Sequence, residues 1–72
     1  MRLYAMIAEY HEYVNHSLTL VRETCTQQAS DVRQAINEVQ AYLKENRNVV
    51  SVDEDKDLDK DIVITSIYSE EV

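Results

Sequence analysis

From Arg2 to Tyr13 the chain reads RLYAMIAEYHEY, with Tyr4, Met6, Ala8 and Tyr10 on one set of alternate positions and Leu3, Ala5 and Ile7 on the other. Apolar residues on both sets describe a central strand, and the change to Glu9, His11 and Glu12 marks its passage toward water. Leu3, Met6, Ile7, Tyr10, Tyr13 and Val14 also fit helical spacing, but the alternation favours a strand. Val14-Asn15-His16 predicts a turn. The segment Ser17 to Thr26, SLTLVRETCT, predicts a second strand, because its three threonines suit a pleated surface better than a helix. The two strands form an antiparallel hairpin.

A change of period follows. Val32, Ala35, Ile36, Val39, Tyr42 and Leu43 recur at three- and four-residue spacing, which predicts one amphipathic helix running to about Arg47. Ser30 is placed to cap its start, and Asp31 complements the positive end of the helix dipole. Lys44 and Arg47 suit the negative end, and Asn48 stands where a left-handed cap would fall.

Beyond the helix, Val49 to Val52 predicts a short strand, Asp53 to Asp61 a polar connector, and Ile62 to Ser69 a final strand paired with the preceding one as a second hairpin. The order β-β-α-β-β gives an α+β two-layer fold, an antiparallel sheet with one helix packed on one face. The competing architecture is mainly α-helical with a C-terminal hairpin, since Leu18, Val21, Cys25, Val32, Ala35 and Val39 can be set on a heptad. With 72 residues, the chain makes a single small domain, 1–72.

Composition narrows the chemistry. The chain has no glycine and no proline, so it lacks phosphate-cradling loops, dinucleotide fingerprints and glycine-containing nucleophile elbows. Its turns must draw on Asn, Asp, Ser and His for unusual backbone angles. No apolar run approaches the roughly 20 residues that cross a bilayer, and the N-terminal residues lack a secretory pattern. With the lone Cys25 unable to form an internal disulfide, the expectation is a cytoplasmic protein, in the host cell if phage-encoded.

The net charge is −7, and it is unevenly placed. Residues 1–48 carry six acids and five bases, whereas residues 49–72 carry eight acids against Lys56 and Lys60. Such a balance disfavours direct binding to nucleic acid and suits a basic protein partner. In DEDKDLDKD, aspartates stand at 53, 55, 57, 59 and 61, with Glu54 among them. Asp53, Asp55 and Asp57 match the first oxygen positions of an EF-hand, but Leu58 stands at its glycine and Ile64 at its bidentate glutamate, so no metal is expected. In an extended segment the five aspartates form a row about 6.6 Å apart, twice the strand rise and near the phosphate spacing of a nucleic-acid strand. Asp53, Glu54, Asp55, Asp57, Asp59 and Asp61, extended by Glu70 and Glu71, are therefore the candidate partner-binding carboxylates.

The aromatic residues are the five tyrosines. Tyr4 and Tyr42 are expected at the edge of the core, and Tyr10, Tyr13 and Tyr68 on the outer sheet face as binding anchors. His11 and His16 flank the first turn near Glu9 and Glu12 without converging as ligands, and read as exposed turn residues. Cys25 reads as a buried or half-buried thiol rather than a nucleophile. No catalytic residue and no cofactor is expected.

Taken along the whole chain, the strand RLYAMIAEY, the strand SLTLVRETC, the helix SDVRQAINEVQAYL, and the segments VVSV and IVITSIYS, with their acidic excess, resemble small phage-encoded anti-CRISPR and other anti-defence inhibitor proteins. That resemblance implies a non-enzymatic inhibitor that binds stoichiometrically and blocks a host enzyme or its nucleic-acid groove, sometimes as a dimer. No residue is carried over, because no motif matches position by position. The expected function is thus an acidic inhibitor of a basic, nucleic-acid-handling enzyme such as a CRISPR effector. The alternative is a small homodimeric structural or regulatory module that pairs through a strand edge or an uncovered sheet face.

Overall fold

The computed structural model describes residues 1–51 and 61–71. Strands β1 (Arg2–Val14) and β2 (Ser17–Ala29) form a long antiparallel hairpin, helix α1 (Val32–Asn46) follows, and β3 (Val63–Glu71) returns to the sheet. The sheet order is β2-β1-β3, with β1 in the centre and antiparallel to both neighbours. It is a small α+β fold with one helix on one sheet face.

The hairpin register starts at its turn. Asn15 and His16 have φ of 51° and 68°, the left-handed pair that a two-residue turn requires to match strand twist. Asparagine tolerates this conformation; histidine does so less readily. Val14 then opposes Ser17 and the register runs without a shift to Arg2 opposite Ala29. It sends Tyr4, Met6, Ala8 and Tyr10 to the helix side, where all four are buried with Ala35, Val39 and Leu43 of α1. Ala8 on the sheet and Ala35 on the helix are both fully buried in this core, and such small side chains let helix and sheet approach closely. The competing mainly α-helical architecture is thereby overturned: residues 2–29 form a strand pair whose side chains satisfy the alternation.

The start of α1 is capped by Asp31, whose carboxylate accepts from the Gln34 backbone N–H at 2.8 Å. Ser30, expected as the cap, instead donates from its backbone N–H and its hydroxyl to Gln34 Oε1 at 2.9 and 2.6 Å. The result is a reciprocal arrangement that satisfies helix-end donors from both sides. At the other end the cap is Arg47 in extended backbone, its N–H donating to Leu43 O at 2.9 Å. Asn48 has no positive φ, so the expected left-handed cap is not used. The apolar stripe is narrower than expected too: Val32 and Tyr42 are exposed, and Ala35, Val39 and Leu43 carry the burial.

The C-terminal third departs from the expected second hairpin. Within Val49–Val52, residue 52 lies outside the described residues, and the rest contributes one bridge, in which Val50 N–H donates to His11 O at 2.8 Å. β3 pairs with β1 instead, from Glu71 opposite Arg2 to Val63 opposite Glu9. A central strand apolar on both faces needs neighbours on both edges, and the local pairing of 49–52 with 62–69 would have left one edge of β1 open. A bulge falls between Ile7 and Ala8, and the Thr65 hydroxyl there donates to Ile7 O at 3.3 Å. Ile62, buried beneath this point, is held by Gln40 Nε2 donating to its carbonyl at 3.2 Å.

Replacing His16 by glycine relieves a left-handed strain of about 1 to 2 kcal/mol against a glycine entropy cost of roughly 0.5 to 1 kcal/mol. The H16G variant is expected to melt a few degrees higher than the wild type in a thermal denaturation scan; an unchanged or lower midpoint would show that the turn carries no such strain.

Candidate functional site

Where β1, β2 and the end of α1 meet, polar side chains converge. Glu23 lies opposite Ala8 on the helix side of β2, an acid at a position the alternation reserves for the core. Tyr10 donates its hydroxyl to Glu23 Oε2 at 2.5 Å. Arg47, just past α1, donates from Nε to Glu23 Oε2 at 3.2 Å and from Nη2 to Oε1 at 3.3 Å, a bidentate grip. The Arg47 guanidinium also lies 5.7 Å from the Tyr42 ring centroid. Cys25, two residues along β2, donates its thiol to Glu23 Oε1 at 3.9 Å. Glu23, Cys25, Tyr42 and Arg47, together with Gln27 and Val39, line a cleft of about 330 Å³ between helix and sheet edge.

The electrostatics of the group favour a fixed ion pair. Burial pushes the Tyr10 phenol up, and its hydrogen bond to the charged Glu23 pushes it further. Burial alone would raise Glu23 as well, but the hydrogen bonds from Tyr10 and Arg47, with the arginine charge, outweigh it and leave the carboxyl below its ordinary value of 4.5. The Cys25 thiol is raised first by burial and then by the Glu23 charge. The acid is thus held ionised, and the phenol and thiol protonated. Each polar tip is aimed at the carboxylate, so the cluster ties the helix end to the sheet and holds its protons where they are.

Sequence reasoning named Arg47 only as a cation at the helix end and did not single out Glu23. The available signal was a charge on the core-facing parity of β2 with an arginine at the helix end, and it becomes legible only with the register known. Of the predicted binding residues, Tyr10 is corrected: at 1% exposure it is a core residue, because its parity faces the helix. Tyr13 and Tyr68 do lie on the outer parity, exposed at 63% and 66%. Tyr4 is buried, whereas Tyr42 is half exposed beside Arg47. Asp61 is corrected as a surface acid, since it is buried next to Ile62. Glu71 accepts from Arg2 Nη1 at 2.7 Å, and Glu70 is exposed at the end of β3. Asp53, Glu54, Asp55, Asp57 and Asp59 lie outside the described residues.

His16 is exposed at the turn and His11 partly covered on β1. Among the described residues no group of three or more His, Cys, Asp or Glu side chains is arranged to hold a metal ion. No helix among them is long and apolar enough to cross a membrane. No protein-family model, curated protein or solved structure matches the chain.

Because the Glu23 carboxyl sits lower in the folded chain than in the unfolded one, its stabilisation is fully present above pH 4.5 and is lost as the pH falls through the folded value. The E23Q variant is expected to lose about 1 kcal/mol at neutral pH, the worth of a charge-assisted hydrogen bond in partial contact with water. In urea titrations the gap to the wild type should close at acid pH; a gap independent of pH would contradict the ion-pair account. Cys25 should react with iodoacetamide at neutral pH more slowly than a free cysteine peptide, and equal rates would show that burial and the Glu23 charge do not restrain the thiol.

Proposed function

We propose that this chain is a non-enzymatic, acidic protein-binding inhibitor that occupies a basic, nucleic-acid-handling surface on its partner. The observation that carries the reading is the separation of charge: net −1 over residues 1–48 and −6 over residues 49–72. The pairing of cations supports it. Arg2, Arg22 and Arg47 are engaged by Glu71, Glu9 and Glu23, so at least three of the chain's seven basic side chains serve internal pairs.

Topology adds a second support. On either side of the acidic run the chain is fastened at neighbouring points, Val50 opposite His11 and Val63 opposite Glu9, two positions apart on β1. The described residues on either side of the run are therefore anchored close together on β1, which favours concentrated rather than dispersed charge. Carboxylates gathered in this way attract a cationic groove by the complementarity that draws a phosphate backbone, with a corresponding sensitivity to salt. A host defence enzyme such as a CRISPR effector is the proposed kind of target, in line with the sequence resemblance. With Asp61 buried, Asp53, Glu54, Asp55, Asp57 and Asp59 are the carboxylates proposed to meet the partner.

Affinity capture from the cell in which the protein acts, at low and high salt, tests this. The wild type is expected to retain a basic nucleic-acid-handling protein that is released at high salt, and a chain with Asp53, Asp55, Asp57 and Asp59 changed to Asn is expected to lose it. Equal retention by both chains, or retention indifferent to salt, would overturn the reading.

A further inference from the structure

The sheet face away from the helix carries its side chains in rows across β2, β1 and β3. Thr26, Ala5 and Tyr68 form one row, and Thr24, Ile7 and Ser66 the next. Ala5 reaches no further than its Cβ, and its neighbours Thr24, Thr26 and Ser66 are short. A shallow depression of about 200 Å³ results. Tyr68 stands at its rim and projects into solvent. One face thus holds a protruding ring and, beside it, a hollow of about a side chain's size. Such a surface is complementary to itself, the property a two-fold interface demands.

Charge points to the same occupant. The described charged residues on this face are Glu9, Arg22 and Glu70, and Glu9 accepts from Arg22 at 3.0 Å. The face therefore carries about one negative charge of the chain's −7, so two copies can meet here with little mutual repulsion, and a basic partner finds little to attract it. Apolar groups extend the surface toward the hairpin tip, where Tyr13, Leu18 and Leu20 are exposed, and Val63 is exposed on β3. The strand dimensions give roughly 550 Å² per copy, about 1,100 Å² for a pair, which clears the floor of about 1,000 Å² for a specific interface. The buried core also invites completion: three of its nine described residues are alanines, a small core for a domain of this size.

We propose that this face is the interface of a homodimer in which Tyr68 of each copy fills the depression beside Ala5 of the other. The two rings flank the two-fold axis and pack in an offset stack, with the Thr24, Thr26 and Ser66 hydroxyls at the edges of the hollow. The interface uses none of the carboxylates of the acidic run, so it and the proposed inhibitor role stand or fall separately.

Sedimentation equilibrium of the full chain tests the proposal. The wild type is expected at twice its 8.4 kDa mass, and Tyr68→Ala and Thr24→Arg, both at exposed positions, are each expected to weaken dimerisation at least about tenfold. Far-UV circular dichroism spectra of both variants should match that of the wild type, and their melting midpoints should lose the rise with protein concentration that a dimer shows. A wild type that stays monomeric into the millimolar range would overturn the proposal. So would a dimer indifferent to both substitutions, which would point instead to pairing through the outer edge of β2.

Discussion

Among the described residues one helix, of 15 residues, lies on a three-stranded sheet, and it can cover one face. That limit governs the rest of the molecule. On the covered side the alternation of β1 places Tyr4, Met6, Ala8 and Tyr10 under Ala35, Val39 and Leu43, and their burial supplies the main driving force for folding. On the other side, Leu3, Ala5 and Ile7 keep β1 apolar although no element of the described chain lies over them. A central strand that is apolar on a side no described element covers is the observation from which the proposed dimer follows.

The covered side needs a fastening at the hairpin's distal half, where the helix ends and the strands run on. Glu23 provides it. Its carboxylate gathers the Tyr10 hydroxyl from β1 and the Arg47 guanidinium from the helix end, so three elements meet at one charged group. A hydrocarbon contact would hold them without fixing their angle, whereas a bidentate ion pair fixes both. The same arrangement holds the Glu23 carboxyl below its ordinary value and pushes the Tyr10 phenol and the Cys25 thiol up.

Much of the fold was legible in the sequence, for identifiable reasons. The two parities of β1, the turn at Asn15 and His16 and the period of α1 are local signals, and each appears in the structure close to its expected place. What was not legible depended on contacts remote in sequence. β3 could have paired with its neighbour at 49–52; it pairs with β1 because the central strand had an edge to fill. Tyr10 reads as an anchor although the alternation sets it with Tyr4 and Met6, because only the helix packed on that face shows which set is buried. Asp61 reads as one of five equivalent aspartates, yet adjoins the buried Ile62 and is itself covered. The acid at Glu23 is the clearest case, since its role exists only through partners 13 and 24 residues away.

The central claim is that the uncovered face is covered by its own copy. Intermolecular nuclear Overhauser effects in a sample mixed from isotope-labelled and unlabelled chains test it most directly. The account predicts cross-peaks from the Tyr68 ring of one chain to the Ala5 and Thr24 methyl groups of the other. Absence of any intermolecular cross-peak at concentrated conditions, or cross-peaks confined to the backbone of β2, would contradict it.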